Sequence, residues 1–476
     1  MSSLKKNFLF NATYQVLGLI VPLVLTPYVS RVLGPEGVGT YSYTYSIVYY
    51  FMLVALLGMQ YYGNRTVAKA RENREELSKK FWEIYSLQFI VTFITSLVYV
   101  GFILFNKEYQ TIYIIEMPYV ISVAFDINWL YSGLEKFKFT VTRSAIIRVL
   151  SAIAIFVFVK GREDVWIYVL ILSGSTLLNQ VVLWPTLFKY VDFKKVRIKS
   201  IFKHLKPTIV LFIPVLAFSV YNVMDKIMLG MMTSTTQVGY YENAEKIINI
   251  PFYIVSALGT VTLPRISNLS NDREKNKEKI KEIIEKSIIY ILFLLIPMMF
   301  GIFAVADYFV PLYLGNEFNE AIIPLKLLAV ILIFKSISQI IRQQYLVPME
   351  KDNVYIKATV MGAILNLIIN WILIPKYKVI GACIATVITE IITSIYQINI
   401  IEKDMRLFKE IIKDILIILI KSTIMFICII SLGTFIEDEA IRNILQVVIA
   451  CIIYGLLNLR FIKKQILPLI IRKKGA

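Results

Sequence analysis

The sequence predicts an all-α polytopic membrane protein of fourteen helices. Three observations carry that prediction: the weight of apolar residues, their grouping into runs of spanning length, and the sidedness of the basic residues between the runs. Of 476 residues, 57% are apolar and only 18% charged, with a mean hydropathy of +0.67. A soluble domain of this size has no interior large enough to bury that much. A spanning helix needs about 20 mostly apolar residues. Such runs follow one another along the chain, which is the pattern of a helical bundle and not of a β-barrel.

In the first part of the chain the runs are 8–30, 41–62, 81–105, 112–132, 141–159 and 165–188. They continue as 207–230, 240–264, 287–309, 321–345, 355–374, 379–400, 415–435 and 441–459. The first is too long for the apolar part of a signal peptide and lacks a convincing cleavage site, so it is expected to be retained. With both termini in the cytoplasm, the inner loops hold most of the 51 Lys and Arg residues and the outer loops only a handful. That asymmetry sets the orientation and requires an even number of spans. The formal charge of +18 therefore calls for no nucleic acid, since a binder would gather its cations on one surface. Basic inner loops such as 64–80 and 271–286 read as topology determinants lying against inner-leaflet lipids.

Cys383, Cys428 and Cys451 sit in apolar runs without CxxC spacing. They imply neither a metal site nor a disulfide framework and read as small core hydrophobes. The lone His204 lies in a basic inner loop and is expected to be solvated.

The chain also repeats itself. RVLGPEGVGTYSYTYS begins at Arg31, and IMLGMMTSTTQVGYYENAEK begins at Ile227. In both, Leu-Gly closes one span (Gly34, Gly230), and Val-Gly with a following Tyr opens the next (Gly39 with Tyr41, Gly239 with Tyr241). Gly39 to Arg65 and Gly239 to Arg265 keep the same spacing, and Leu134-Glu135-Lys136 is matched by Met349-Glu350-Lys351. Each half holds six spans, so the halves enter the membrane in the same direction as a parallel repeat. This divides the chain into an N-terminal lobe over 1–188, a C-terminal lobe over 189–400, and two further spans with a basic tail over 401–476. The loop glycines serve tight turns or close backbone approach. Pro22, Pro27 and Pro214 inside spans are expected to mark bends.

On these residues, LGPEGVGTYSY, MDKIMLG, VGYYENAEKI and the LEK and MEK loops, the chain resembles the multidrug/oligosaccharidyl-lipid/polysaccharide exporter superfamily. Within it the resemblance is to the Wzx-type polysaccharide repeat-unit flippases. The resemblance implies two six-helix lobes around a V-shaped cavity, alternating access by rocking, and a polyprenyl-diphosphate-linked oligosaccharide as cargo. It implies the bacterial cytoplasmic membrane as location, and membrane lipids and other polysaccharide-assembly membrane proteins as partners. No cofactor is expected beyond a coupling ion, sodium or a proton.

Ionisable residues inside spans are costly and tend to face a cavity or a partner. Arg31, Lys226 and Lys246 stand near the outer loops at equivalent places of the two halves and would meet a diphosphate, or else snorkel to the interface. Lys335 lies deep in the tenth span and forms one polar stripe with Gln339 and Arg342 at i, i+4 and i+7. Arg148, nearer the inner end of the fifth span, would follow inward-open cargo or snorkel. Tyr41, Tyr45 and Tyr49 share a face and would stack on sugar rings or sit in an interfacial belt. Asp225, Asn366, Asn370 and Thr386 offer oxygen ligands at similar depth that suit a hard monovalent cation. They match in type and spacing the helix combination that lipid-flipping members of the superfamily use for sodium. The alternative is that Asp225 pairs with Lys226 or Lys246 and the asparagines bond between helices.

Two other functions compete: a cation-coupled multidrug or small-molecule antiporter of the same fold, and a membrane polysaccharide polymerase or ligase. The antiporter predicts an acidic, aromatic cavity with few cations. The enzyme needs a long outer catalytic loop, whereas these loops are short, and no nucleophile–base set, P-loop or metal motif is present. A non-enzyme is expected.

Overall fold

The computed structural model describes residues 3–270, 272–433, 436, 438–461 and 463. The basic tail beyond 463 and the side chains of 8–17 in the first predicted span lie outside the described residues.

The described residues are almost entirely helical, without a strand among them. The chain runs α1 (Ser3–Leu56), α2 (Met59–Ala70), α3 (Arg74–Phe105), α4 (Gln110–Ala124), α5 (Asn128–Gly133), α6 (Phe137–Phe158), α7 (Val165–Val181), α8 (Trp184–Leu187) and α9 (Ile198–Phe202). It continues as α10 (Leu205–Met232), α11 (Thr235–Ser270), α12 (Arg273–Leu314), α13 (Ile322–Ala329), α14 (Ile331–Ile341), α15 (Asp352–Met405), α16 (Leu407–Gly433), α17 (Glu439–Leu457) and α18 (Leu459–Phe461).

Among the described residues, 8 helices are long and apolar enough to cross a membrane, or 9 if the pair bent by 42° at Val330 counts as one span. These numbers fall below fourteen partly because long helices cover two apolar runs each. In α1 the backbone leaves helical values at Gly34 (φ 67°), between the first two runs. In α15 it does so at Lys378 (φ 50°), between the eleventh and twelfth. The fourth run is split instead, into α4 and α5, across a short turn in which the Asp126 carboxylate accepts from the Asn128 backbone amide at 2.9 Å. Pro22 and Pro27 do not interrupt α1, nor does Pro214 interrupt α10. The break in α1 belongs to the glycine, which reaches positive φ without a Cβ penalty.

The helix starts obey local chemistry. Asn73 accepts from the amides of Glu75 (3.0 Å) and Glu76 (3.1 Å) at the head of α3. Those two glutamates in the first turn favour the positive end of the helix dipole.

Two compact units divide the chain after Gly239. Within the first unit α10 packs on α1 and α2. The first unit is rich in aromatic residues, with Trp129, Tyr131 and Phe81 fully buried and Trp129 Nε1 donating to Gln88 Oε1 at 2.9 Å. In the second unit, Ile284, Ile288, Leu292 and Leu295 form a buried stripe on α12 at helical spacing, and α12 packs against α16.

The repeat is written into the backbone at the LEK and MEK loops. Glu135 (φ 57°) and Glu350 (φ 54°) both take the left-handed conformation. The amides of Leu134, Glu135 and Lys136 bond the carbonyls of Leu130, Ser132 and Tyr131. Those of Met349, Glu350 and Lys351 bond Tyr345, Val347 and Leu346 in the same order. Two helices thus end in one Schellman-like turn, with glutamate where glycine is usual.

Of the three cysteines, Cys383 is buried and Cys428 half-buried, but Cys451 is exposed. The core reading is therefore corrected at Cys451: on α17 the apolar surface it belongs to is turned outward.

Candidate functional site

The glycines of the repeated turns serve close approach more than special dihedrals. A Cβ on Gly39 would lie 1.7 Å from the Thr235 carbonyl oxygen, and one on Gly239 2.0 Å from that of Pro35. One on Gly230 would meet the Tyr43 ring at 2.2 Å. Inside the first unit, the turn after the first apolar run and the turn after the seventh therefore touch backbone to backbone. Only Gly34 of this set needs positive φ.

Arg31 is exposed, about one turn before the Gly34 break. Lys226 is half-buried on α10 beside Asp225, and Lys246 on α11 pairs with Glu242 at 3.0 Å. Arg148 on α6 reaches α1, its Nη1 3.2 Å from the position of a Cβ on Gly18. Lys335 on α14 stands over the face of Phe252 at 5.1 Å. Gln339 and Arg342 come together, the guanidinium donating to Gln339 Oε1 and covering the Tyr355 ring at 5.2 Å. Arg342 begins a five-residue π-helical turn, Arg342–Leu346, a local widening of the helix common at functional positions. The predicted stripe is thus joined at Gln339 and Arg342, with Lys335 directed to an aromatic face.

Tyr41, Tyr45 and Tyr49 form a column. Tyr41 stacks on Tyr45 at 5.5 Å, and Tyr45 meets Tyr49 at 6.4 Å. Tyr119 of α4 closes on it, edge-on to Tyr45 at 5.0 Å and with its hydroxyl 3.0 Å from that of Tyr41. Tyr41 also meets Tyr168 of α7 edge-on at 5.1 Å. Tyr41 and Tyr45 thereby pack helix to helix inside the first unit.

The oxygen ligands divide between the units. Asp225 is 2% exposed in the first. In the second, Asn370 Nδ2 donates to Asn366 Oδ1 at 3.0 Å, and Thr386 Oγ1 lies 3.2 Å from the Tyr241 hydroxyl. Among the described residues no three His, Cys, Asp or Glu side chains are grouped to hold a metal ion.

One expectation is overturned. His204 is not solvated but 2% exposed. Its Nδ1 lies 2.7 Å from the Tyr62 hydroxyl and its Nε2 3.0 Å from Glu83 Oε2. Lys203 reaches the same carboxylate oxygen at 2.9 Å. The basic loop closes over the ends of α2 and α3, and the imidazole fills the gap because both ring nitrogens find partners there. The same rim is fastened by Arg74, which grips Asp192 with Nε and Nη2 at 2.8 and 2.7 Å. That guanidinium holds the Asp192 carboxyl below the usual carboxylate range.

Sequence reasoning also passed over Glu116 on α4, which is 0% exposed and accepts from Thr44 Oγ1 at 2.9 Å. A lone glutamate in an apolar run was the available signal. A second polar knot joins Asp126, Asn128, Gln180 and Arg143, with Asn128 Nδ2 2.7 Å from both Asp126 Oδ1 and Gln180 Oε1.

A multi-pass helical membrane protein with an internal repeat, cations inside its helices and helix-breaking turns between paired runs belongs to the class of membrane carriers. The chain belongs to the polysaccharide biosynthesis protein family, whose model matches residues 4–270; the MatE model matches 211–372. It is 25% identical over 401 residues to the "Putative O-antigen transporter" of Escherichia coli K12, covering 83% of this chain and 95% of that one. It is 31% identical over 169 residues to the "Probable low-salt glycan biosynthesis flippase Agl15" of Haloferax volcanii, covering 36% of this chain and 35% of that one. Its fold is that of the lipid II flippase MurJ in the inward closed conformation, with a TM-score of 0.74 at 19% identity, covering 96% of this chain and all of that one.

Proposed function

We propose that this protein is a flippase that moves a polyprenyl-diphosphate-linked oligosaccharide repeat unit from the inner to the outer leaflet of the bacterial cytoplasmic membrane. It does so by alternating access, for assembly of a capsule, O-antigen or exopolysaccharide, and it is not an enzyme. The carrying observation is the similarity to an O-antigen transporter along 83% of the chain. The cations held within its helices agree with it.

In this reading the cargo diphosphate loses water on entering the membrane and needs fixed cations in its place. Lys335 is the deepest candidate, and the Gln339–Arg342 pair continues its stripe toward the inner end of the span. Arg31, Lys226 and Lys246 serve the outer end, and Arg148 the inner. Tyr41, Tyr45 and Tyr49 offer ring faces to sugars only where the column opens. Asp225, Asn366, Asn370 and Thr386 are the proposed sodium ligands. Both termini lie in the cytoplasm, as the basic loops require. Membrane lipids surround the chain, and other polysaccharide-assembly proteins of the membrane receive its product.

Depletion of the protein tests this reading directly. The expected result is accumulation of a lipid-linked oligosaccharide confined to the inner leaflet, with loss of surface polysaccharide. The match to the MatE model over 211–372 favours a second reading, a cation-coupled antiporter of small molecules. Unchanged surface polysaccharide together with raised drug sensitivity on depletion would select it.

A further inference from the structure

Glu116 stands out from every other carboxyl described above by what surrounds it. It is completely buried on α4, in the fourth apolar run of the sequence. Thr44 of α1 donates to its Oε1 at 2.9 Å. Among the described residues its Oε2 is buried without a hydrogen-bond partner. The titratable side chains that face it are Tyr99 of α3 and Tyr113 and Tyr119 of α4. On the neighbouring α7, Ser173 gives its hydroxyl to the Ile115 carbonyl at 2.8 Å. No lysine or arginine is among these groups. Phenolic hydroxyls can share a proton but cannot neutralise a carboxylate.

A charged carboxylate at such a place would be stabilised neither by water nor by a cation, and its burial would cost far more than one unsatisfied hydroxyl. The group therefore needs a bound cation on its free oxygen, and the space against Oε2 is closed by protein atoms. Only a proton fits.

We propose that Glu116 is a proton-binding site of this carrier, filled in the conformation seen here and emptied when α1 and α4 part. The backbone supplies the means of parting. Thr44 lies ten residues beyond the Gly34 break in α1. Glu116 lies two residues before Pro118, and α4 ends at Ala124, where the helix is interrupted. A small rotation of either helix breaks the Thr44 bond and admits water. Glu116 then gives its proton to that water and remains as a carboxylate, solvated until the helices close and a proton returns. One proton is taken up and released per cycle, with no other bond made or broken.

The link to transport rests on the flippase reading, whereas proton binding itself does not. The test has two parts accordingly. Infrared spectra of the full-length protein in lipid nanodiscs at neutral pH are compared with those of Glu116→Gln. The C=O stretch of a protonated carboxylic acid is expected in the native protein and absent from the variant. Thr44→Val, which keeps the acid and removes the donor, is expected to shift the same band to higher frequency. Identical carboxylic-acid bands in the native protein and Glu116→Gln overturn the proposal, whatever the cargo. Surface polysaccharide is then measured with and without a protonophore, in the native strain and in the strain carrying Glu116→Gln. The expected result is export that falls with the protonophore only in the native strain. Equal protonophore sensitivity in both strains overturns coupling through Glu116, while failure of the flippase reading shows separately, as no lipid-linked intermediate on depletion.

Discussion

Glu83 and Glu116 are both carboxyls buried in the first unit, 1% and 0% exposed, and they are held in opposite ways. Glu83, at the rim, has Lys203 and His204 within hydrogen-bonding distance, and through His204 it is tied to Tyr62. Glu116, in the middle of α4, has a threonine. Burial costs both of them their hydration, but only the first recovers it from opposite charge. The difference teaches that a buried acid is informative through its partners. A carboxylate with cations fastens helices together, whereas one without them must carry a proton or wait for water.

The contrast is most exposed to test at Glu83. Replacing it with Ala leaves Lys203 half in water but strands His204, and we expect a loss of about 2–3 kcal/mol of stability, somewhat below that of a fully buried pair. Thermal unfolding in detergent would register it, and a variant as stable as the native protein would show that the rim network holds nothing.

Lys335 extends the comparison to cations. Lys203 answers a carboxylate, while Lys335 meets the face of Phe252, which suits a cation kept for a ligand. Lys335→Ala is expected to lower polysaccharide export by roughly tenfold, the worth of one charge-assisted contact, with the protein still inserted in the membrane. Normal export by a well-expressed variant would remove Lys335 from the cargo site.

Asp225 lies between the two extremes, buried as Glu116 is but beside Lys226. Asp225→Asn is expected to slow export a few-fold and to abolish any dependence on a sodium gradient. Sodium dependence that survives unchanged in transport assays would dissolve the proposed ligand set. The smallest effect belongs to Tyr62→Phe, which removes one hydrogen bond to His204 and should cost about 0.5–1.5 kcal/mol. If it matched Glu83→Ala in a melting experiment, the tyrosine and not the ion pair would be the centre of the rim.

Much of this architecture was legible in the residues because hydropathy is a local sum. Each apolar run called from the sequence falls on helix, with short breaks, as far as the described residues extend. The LEK and MEK loops, matched by three letters, adopt the same three backbone hydrogen bonds. The candidate site was less legible. Gln339 and Arg342 do meet, as helical spacing suggests, but the widened turn at Arg342 lies beyond a simple i, i+4, i+7 count. His204 was misread because its loop is basic and polar, and nothing within that loop announces Tyr62 or Glu83.

By itself, then, the sequence determined the helical class, the membrane as solvent and the twofold repetition, since each depends on residues close together in the chain or on equal spacing along it. It also located the turns where glycine is required. Tertiary structure alone decided which polar groups are matched. Glu83 meets His204 across 121 residues, and Glu116 meets Thr44 across 72. Such pairs form only when helices pack, and inside a membrane the choice of partner decides whether a carboxyl is a charge, a tie or a proton site.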